Sequence, residues 1–130
     1  MPSIVPVAKA LIVCENYTGY PDGRVDLYSI FNSIRPKNSY PYRRERFAVF
    51  AQLLNGLGDV PFFIDIVAAS TSALVWTTNT KNLIFPNRTV VVQLAMNLEG
   101  VVFPQPDLYL VQLYCDNSWV CETGILAHAV

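Results

Sequence analysis

Only one histidine, His128, is available to the chain, and it stands near the C-terminus on what reads as the last strand. A general base has to be held by neighbours on a rigid element, so a Ser/His/Asp or Cys/His arrangement would have to work from the end of the chain. Cys14, Cys115 and Cys121 lack the short CxxC spacing of a metal site, and one histidine does not complete a usual zinc ligand set. Asp22 and Asp26 flank a turn, but no carboxylates follow at the alternating positions a calcium loop needs. Asp59, Asp65, Glu99, Asp107 and Glu122 fall on separate segments, and a hydrolytic pair would exist only if the fold converged two of them. Gly56-Leu57-Gly58-Asp59 lacks the lysine and following helix of a phosphate cradle and reads as a hairpin turn. The expectation is a protein with no catalytic, cofactor-binding or metal-binding residues, and not an enzyme.

The densest polar chemistry is basic. Arg35, Lys37, Arg43, Arg44 and Arg46 stand against Glu45 within twelve positions, a net +4 that leaves −5 for the rest of the chain. Tyr40 and Tyr42 interleave with these cations, the composition of a groove for single-stranded nucleic acid. A solvated loop has the same composition, and the acidic remainder would repel nucleic acid. Arginine and tyrosine are enriched where proteins dock, so Arg35, Lys37, Tyr40, Tyr42, Arg43, Arg44 and Arg46 are the candidate interaction surface, facing an acidic partner. Trp76 and Trp119, with Tyr17 and Tyr20 in the first turn, raise an alternative: a binder of glycans or other small molecules through exposed rings. Aromatic residues on strands mostly pack against neighbours, and Trp119 reads as a lid on the core.

These residues must be positioned by strands. Runs of six to ten residues rich in Val, Ile, Leu, Phe and Tyr recur, each closed by a cluster of Gly, Pro, Asn or Asp, and no stretch sustains helical periodicity. Val7–Cys14 and Val25–Ile34 read as a hairpin. The proline-bearing segment 35–42 reads as a connection between sheets, followed by strands over Arg46–Asn55 and Val60–Ala69. In the latter, Val60, Phe62, Ile64, Ile66 and Ala68 share one face. Ala73–Thr78 and Leu83–Phe85 are weaker candidates without a fixed register. In Thr89–Leu98, Val90, Val92, Leu94, Met96 and Leu98 alternate onto one side, and Gly100–Asp107 reads as a crossover. Leu108–Cys115 and Trp119–His128 form the closing hairpin. A three-residue loop there pairs Tyr109, Val111, Leu113 and Cys115 with Ile125, Thr123, Cys121 and Trp119.

Eight or nine such strands predict an all-β fold, a two-sheet antiparallel sandwich forming a single domain over residues 1–130. At 130 residues one core suffices. Hydrophobic residues reach 52% and charged ones only 15%, with mean hydropathy +0.31. That apolar surplus needs cover, and self-association into a homo-oligomer would supply it. A net charge of −1 gives no global field toward nucleic acid or anionic membrane. The N-terminus carries no basic leader followed by an apolar stretch, and no apolar run reaches the length of a membrane span, so a cytoplasmic protein is expected.

Phe103-Pro104-Gln105-Pro106-Asp107-Leu108-Tyr109-Leu110-Val111 looks like the entry to the penultimate strand of immunoglobulin-like sandwiches, where a tyrosine hydroxyl ties a corner to the strand; Tyr109 is the candidate. Together with Ala10-Leu11-Ile12-Val13-Cys14-Glu15, Leu27-Tyr28-Ser29-Ile30-Phe31-Asn32-Ser33-Ile34-Arg35 and Leu98-Glu99-Gly100-Val101-Val102-Phe103-Pro104, this segment resembles a family of small bacterial proteins of unknown function. The resemblance spans nearly the whole chain. It implies an immunoglobulin-like sandwich and no particular activity, since such sandwiches host many functions.

Overall fold

The computed structural model describes residues 2–130. They form ten strands and no helix: β1 (Val7–Gly19), β2 (Val25–Ile30), β3 (Ser33–Ile34), β4 (Tyr42–Leu54), β5 (Gly58–Ala68), β6 (Leu74–Thr77), β7 (Lys81–Phe85), β8 (Val92–Phe103), β9 (Asp107–Cys115) and β10 (Ser118–Ala127). One sheet has the order β2-β1-β4-β8. The other runs β3-β10-β9-β5-β6, with β7 also paired to β5. All pairings are antiparallel except β3 with β10. The result is the predicted all-β, two-sheet sandwich, with ten strands where eight or nine were expected.

Alternation builds the core. Val60, Phe62, Ile64, Ile66 and Ala68 of β5 and Tyr109, Val111, Leu113 and Cys115 of β9 are buried in one continuous cluster with Phe47, Val49, Ala51 and Leu53 of β4. Period-two side chains put each set on the inward face of its strand. Tyr109 closes one end: its hydroxyl donates to the Gln105 carbonyl at 2.5 Å and accepts from the Gln105 N–H at 3.2 Å, and its ring meets Phe103 edge-on.

Several connections differ from the sequence reading. Gly56-Leu57-Gly58-Asp59 is no hairpin: β4 and β5 belong to different sheets, and the link passes through Asn55 at φ 64° and Gly58 at φ 78° while Leu57 pairs with Ile4. The run Val25–Ile34 breaks after Ile30, just past Ser29 at φ 55°, and its last two residues join β10 in the other sheet as β3. Β-strand pairing in the first hairpin also extends past Cys14 to Gly19, because the polar residues Asn16 and Thr18 are paired with Tyr28 and Asp26. Residues 101–103 are not a crossover. Gly100, at φ 66°, lets β8 continue with its inward positions moved by one, so that Met96 and Leu98 are buried before it and Val101 and Phe103 after it. Finally, β6 and β7 are two pieces lying along the same edge of β5, at its C-terminal and N-terminal halves respectively.

Candidate interaction surface

On β9 and β5 the residues between the buried ones point away from the core, and many of them are also apolar. Leu108, Leu110, Gln112 and Tyr114 alternate outward on β9, and Phe63, Asp65 and Val67 do so on β5. Register aligns these into three bands across the outer face of β10-β9-β5-β6. One band is aliphatic: Leu126 faces Leu108, and Leu110 faces Val67, which faces Leu74. Leu108, Leu126 and Leu74 are 40%, 44% and 56% exposed. The middle band is polar, running Glu122, Gln112, Asp65, Thr77. The third is aromatic: Trp119 faces Tyr114, whose ring stacks on Phe63 with centroids 4.9 Å apart.

Hydrogen bonds hold the polar band in place. The Gln112 amide donates to Glu122 Oε1 at 3.2 Å, Trp119 Nε1 donates to the same oxygen at 3.2 Å, and Thr77 Oγ1 donates to Asp65 Oδ1 at 2.6 Å. Both carboxylates thus have neutral donors, and among the described residues neither forms an ion pair. The face therefore combines exposed aliphatic and aromatic area with two uncompensated negative charges. Asp65, Glu122 and Trp119 were sequence candidates for other roles, whereas the aliphatic residues beside them were not singled out. The signal was present nonetheless: strands whose inward and outward positions are both apolar are covered on both faces.

The closing hairpin decides where Trp119 points. Asp116 and Asn117, at φ 52° and 61°, make a two-residue turn of the type whose central residues both need positive φ, so Ser118 pairs with Cys115. A bulge at Val120 then restores the predicted pairing of Cys121 with Leu113, Thr123 with Val111 and Ile125 with Tyr109. Trp119 is the exception. It pairs with Tyr114 on the outer face instead of with Cys115, and at 54% exposure it is no lid on the core.

The basic segment is divided by the fold. Arg44 lies over the Phe31 ring at 4.4 Å and bonds to Glu15, and Arg43 Nε donates to Glu45 at 3.0 Å. Arg46 stands opposite Glu99 across β4 and β8. Tyr40 is half-buried against the core and its hydroxyl donates to the His128 carbonyl at 2.6 Å; Tyr42 stacks on Phe103. Each ring is thus engaged within the fold on at least one side. Arg35 and Lys37 remain exposed and outside any ion pair among the described residues. With Pro36, Asn38, Ser39 and Tyr42 they line a cup of about 300 Å³ that contains no carboxylate.

The remaining candidates scatter. Tyr20 donates to Asp26 at 2.6 Å in the first hairpin, with Arg24 over its ring, and Tyr17 is a strand residue paired with Leu27. Trp76 borders a shallow cleft of about 280 Å³ with Thr77, Lys81, Asn97 and Glu99. All three cysteines are free, and burial raises the pKa of each; that of Cys115 is pushed up to about 12. The Ser70 hydroxyl, bonded to Asp107, holds that carboxyl below its usual range. Among the described residues no three of His, Cys, Asp and Glu converge as a metal site, and no helix is long and apolar enough to cross a membrane. No curated protein matches the chain. Residues 9–127, most of the sequence, match the model of DUF6941, a family of unknown function, and the chain belongs to that family.

Proposed function

We propose that the chain is a non-enzymatic protein-interaction module that docks through the outer face of β10-β9-β5-β6. The carrying observation is the aliphatic band, where Leu108, Leu126 and Leu74 stand exposed beside half-buried Leu110 and Val67. Contiguous apolar area of this kind on a sheet face marks a contact site, and an aromatic row with a satisfied polar band beside it matches the anatomy of a protein interface. The fold proposed for it is immunoglobulin-like. The order β2-β1-β4-β8 against β3-β10-β9-β5, the crossing from β4 to β5 between sheets, and the Tyr109 corner at the start of the penultimate strand support that reading. Free thiols at all three cysteines suit the reducing cytoplasm of a bacterium, the setting the family resemblance suggests.

Site-specific crosslinking in cells tests the proposal. A photoreactive residue at Leu108 or Leu126 is expected to yield adducts with another polypeptide chain, while one at exposed Lys9 on the opposite sheet yields none. Equal yields at both faces, or none at either, would count against it. A second reading, binding of a glycan or other small molecule, rests on the Trp76 cleft, whose mixed lining of Thr77, Lys81, Asn97 and Glu99 suits a polar ligand. A ligand that protects Trp76 but not Trp119 from quenching would favour it.

A further inference from the structure

The outer face carries Asp65 and Glu122 without a cation, and the cup after β3 carries Arg35 and Lys37 without a carboxylate. Arg35 directly follows β3, the edge strand beside β10, and the far wall of the cup is Tyr42 at the start of β4 in the other sheet. β3 runs parallel to β10 with Ser33 opposite Leu126 and Ile34 opposite Ala127. Ile34 and Ala127 are buried in the core, so alternation turns Ser33 and Arg35 to the outer side, where Leu126 is exposed. Glu122 lies four residues before Leu126 on β10, about 13 Å away at the rise of a strand. The exposed Leu108 and Leu126 therefore sit between an acidic band and a basic cup.

We infer that the partner of this face is a second copy of the chain, related by a two-fold axis through the Leu108 and Leu126 patch, with the Arg35 and Lys37 cup of each copy receiving Glu122 of the other. The inference rests on the face being an interaction surface, as proposed above. Charge complementarity selects the occupant. Stacking the acidic bands on each other would place four carboxylates together, whereas an axis through the aliphatic patch sets each band against a cup. The patch then packs on its own copy at the centre, with charged pairs on either side. A cup of about 300 Å³ lined only by cationic and neutral groups has room for a carboxylate side chain. The contact is isologous, so it closes at two and leaves no repeated surface to propagate.

Sedimentation velocity on the full chain, over a range of concentrations at 50 mM and 500 mM NaCl, tests this. The expected result is a monomer–dimer equilibrium whose Kd rises at least tenfold at the higher salt. Glu122→Lys and Arg35→Glu are each expected to weaken the dimer at least tenfold, and the double exchange to restore it to within threefold of the parent. Should Glu122→Lys fail to fold by circular dichroism, Glu122→Gln takes its place and is expected to weaken the dimer and flatten its salt dependence. A monomer at every concentration, assembly beyond a dimer, a Kd indifferent to both reversals, or a double variant no tighter than the weaker single would each overturn the inference. Crosslinking at Leu108 separates the two failures: adducts with a different protein alongside a monomeric chain leave the docking face standing and remove only the second copy.

Discussion

Trp119 and Glu122 share one face of β10, with the indole Nε1 donating to the carboxylate Oε1 at 3.2 Å, although strict alternation sends residues three apart to opposite sides. The bulge at Val120 brings them together. It takes up the extra residue left by the two-residue turn and so keeps Cys121, Thr123 and Ile125 against β9 as the core requires.

Because the bulge turns Trp119 outward, removing its ring opens no cavity in the core. Trp119→Ala is expected to change the unfolding free energy in urea by less than about 0.5 kcal/mol, as exposed substitutions do. A loss of about 3 kcal/mol or more, the cost of truncating a buried aromatic, would contradict the outward placement.

Tyr109 is fully buried, and its hydroxyl is paired twice with the backbone of Gln105. Tyr109→Phe keeps the ring against Phe103 and leaves the Gln105 groups without that partner. A loss of about 1–2 kcal/mol is expected in chemical denaturation with the m-value unchanged.

Gly56 is required by a close approach. A Cβ there would meet carbons of the Phe85 ring at 2.8–2.9 Å, and Phe85 is fully buried, so the ring has nowhere to move. Gly56→Ala is expected to cost about 1–3 kcal/mol, as overpacking does. Gly56→Ala combined with Phe85→Leu should recover part of that loss, measured as the midpoint of thermal unfolding.

Cys115 gives a pH dependence with a definite sign. Burial raises its pKa from 9.0 to about 12, favouring the neutral thiol in the folded state. Its contribution is therefore fully present below pH 9 and is lost as pH rises toward 12, at about 1.4 kcal/mol per unit in that window. Urea unfolding at pH 8 and pH 10 is expected to show a smaller decline for Cys115→Val than for the parent. Equal declines would show that this thiol does not couple to folding.

Alternation is a local property, and it was legible wherever a strand buries one clean face. The inward rows of β5 and β9 follow from residue spacing, as does the all-β class. That the chain holds a single histidine follows from composition alone. The Tyr109 corner was legible too, because a proline-bearing bend just before a tyrosine on a strand is a local pattern.

What only the tertiary structure decided is which backbone edges meet, and that depends on residues far apart in sequence. It sent β4 and β5 to different sheets, split Val25–Ile34 between them, and laid β6 and β7 along one edge of β5. It also dispersed the basic run, tying Arg43 to Glu45 and Arg44 to Glu15 and leaving Arg35 and Lys37 exposed in a cup without a carboxylate. One extra residue at Val120 reversed the side on which Trp119 lies. Composition specifies how much apolar surface must be covered; the closure of hydrogen bonds between distant strands specifies which part of it faces water.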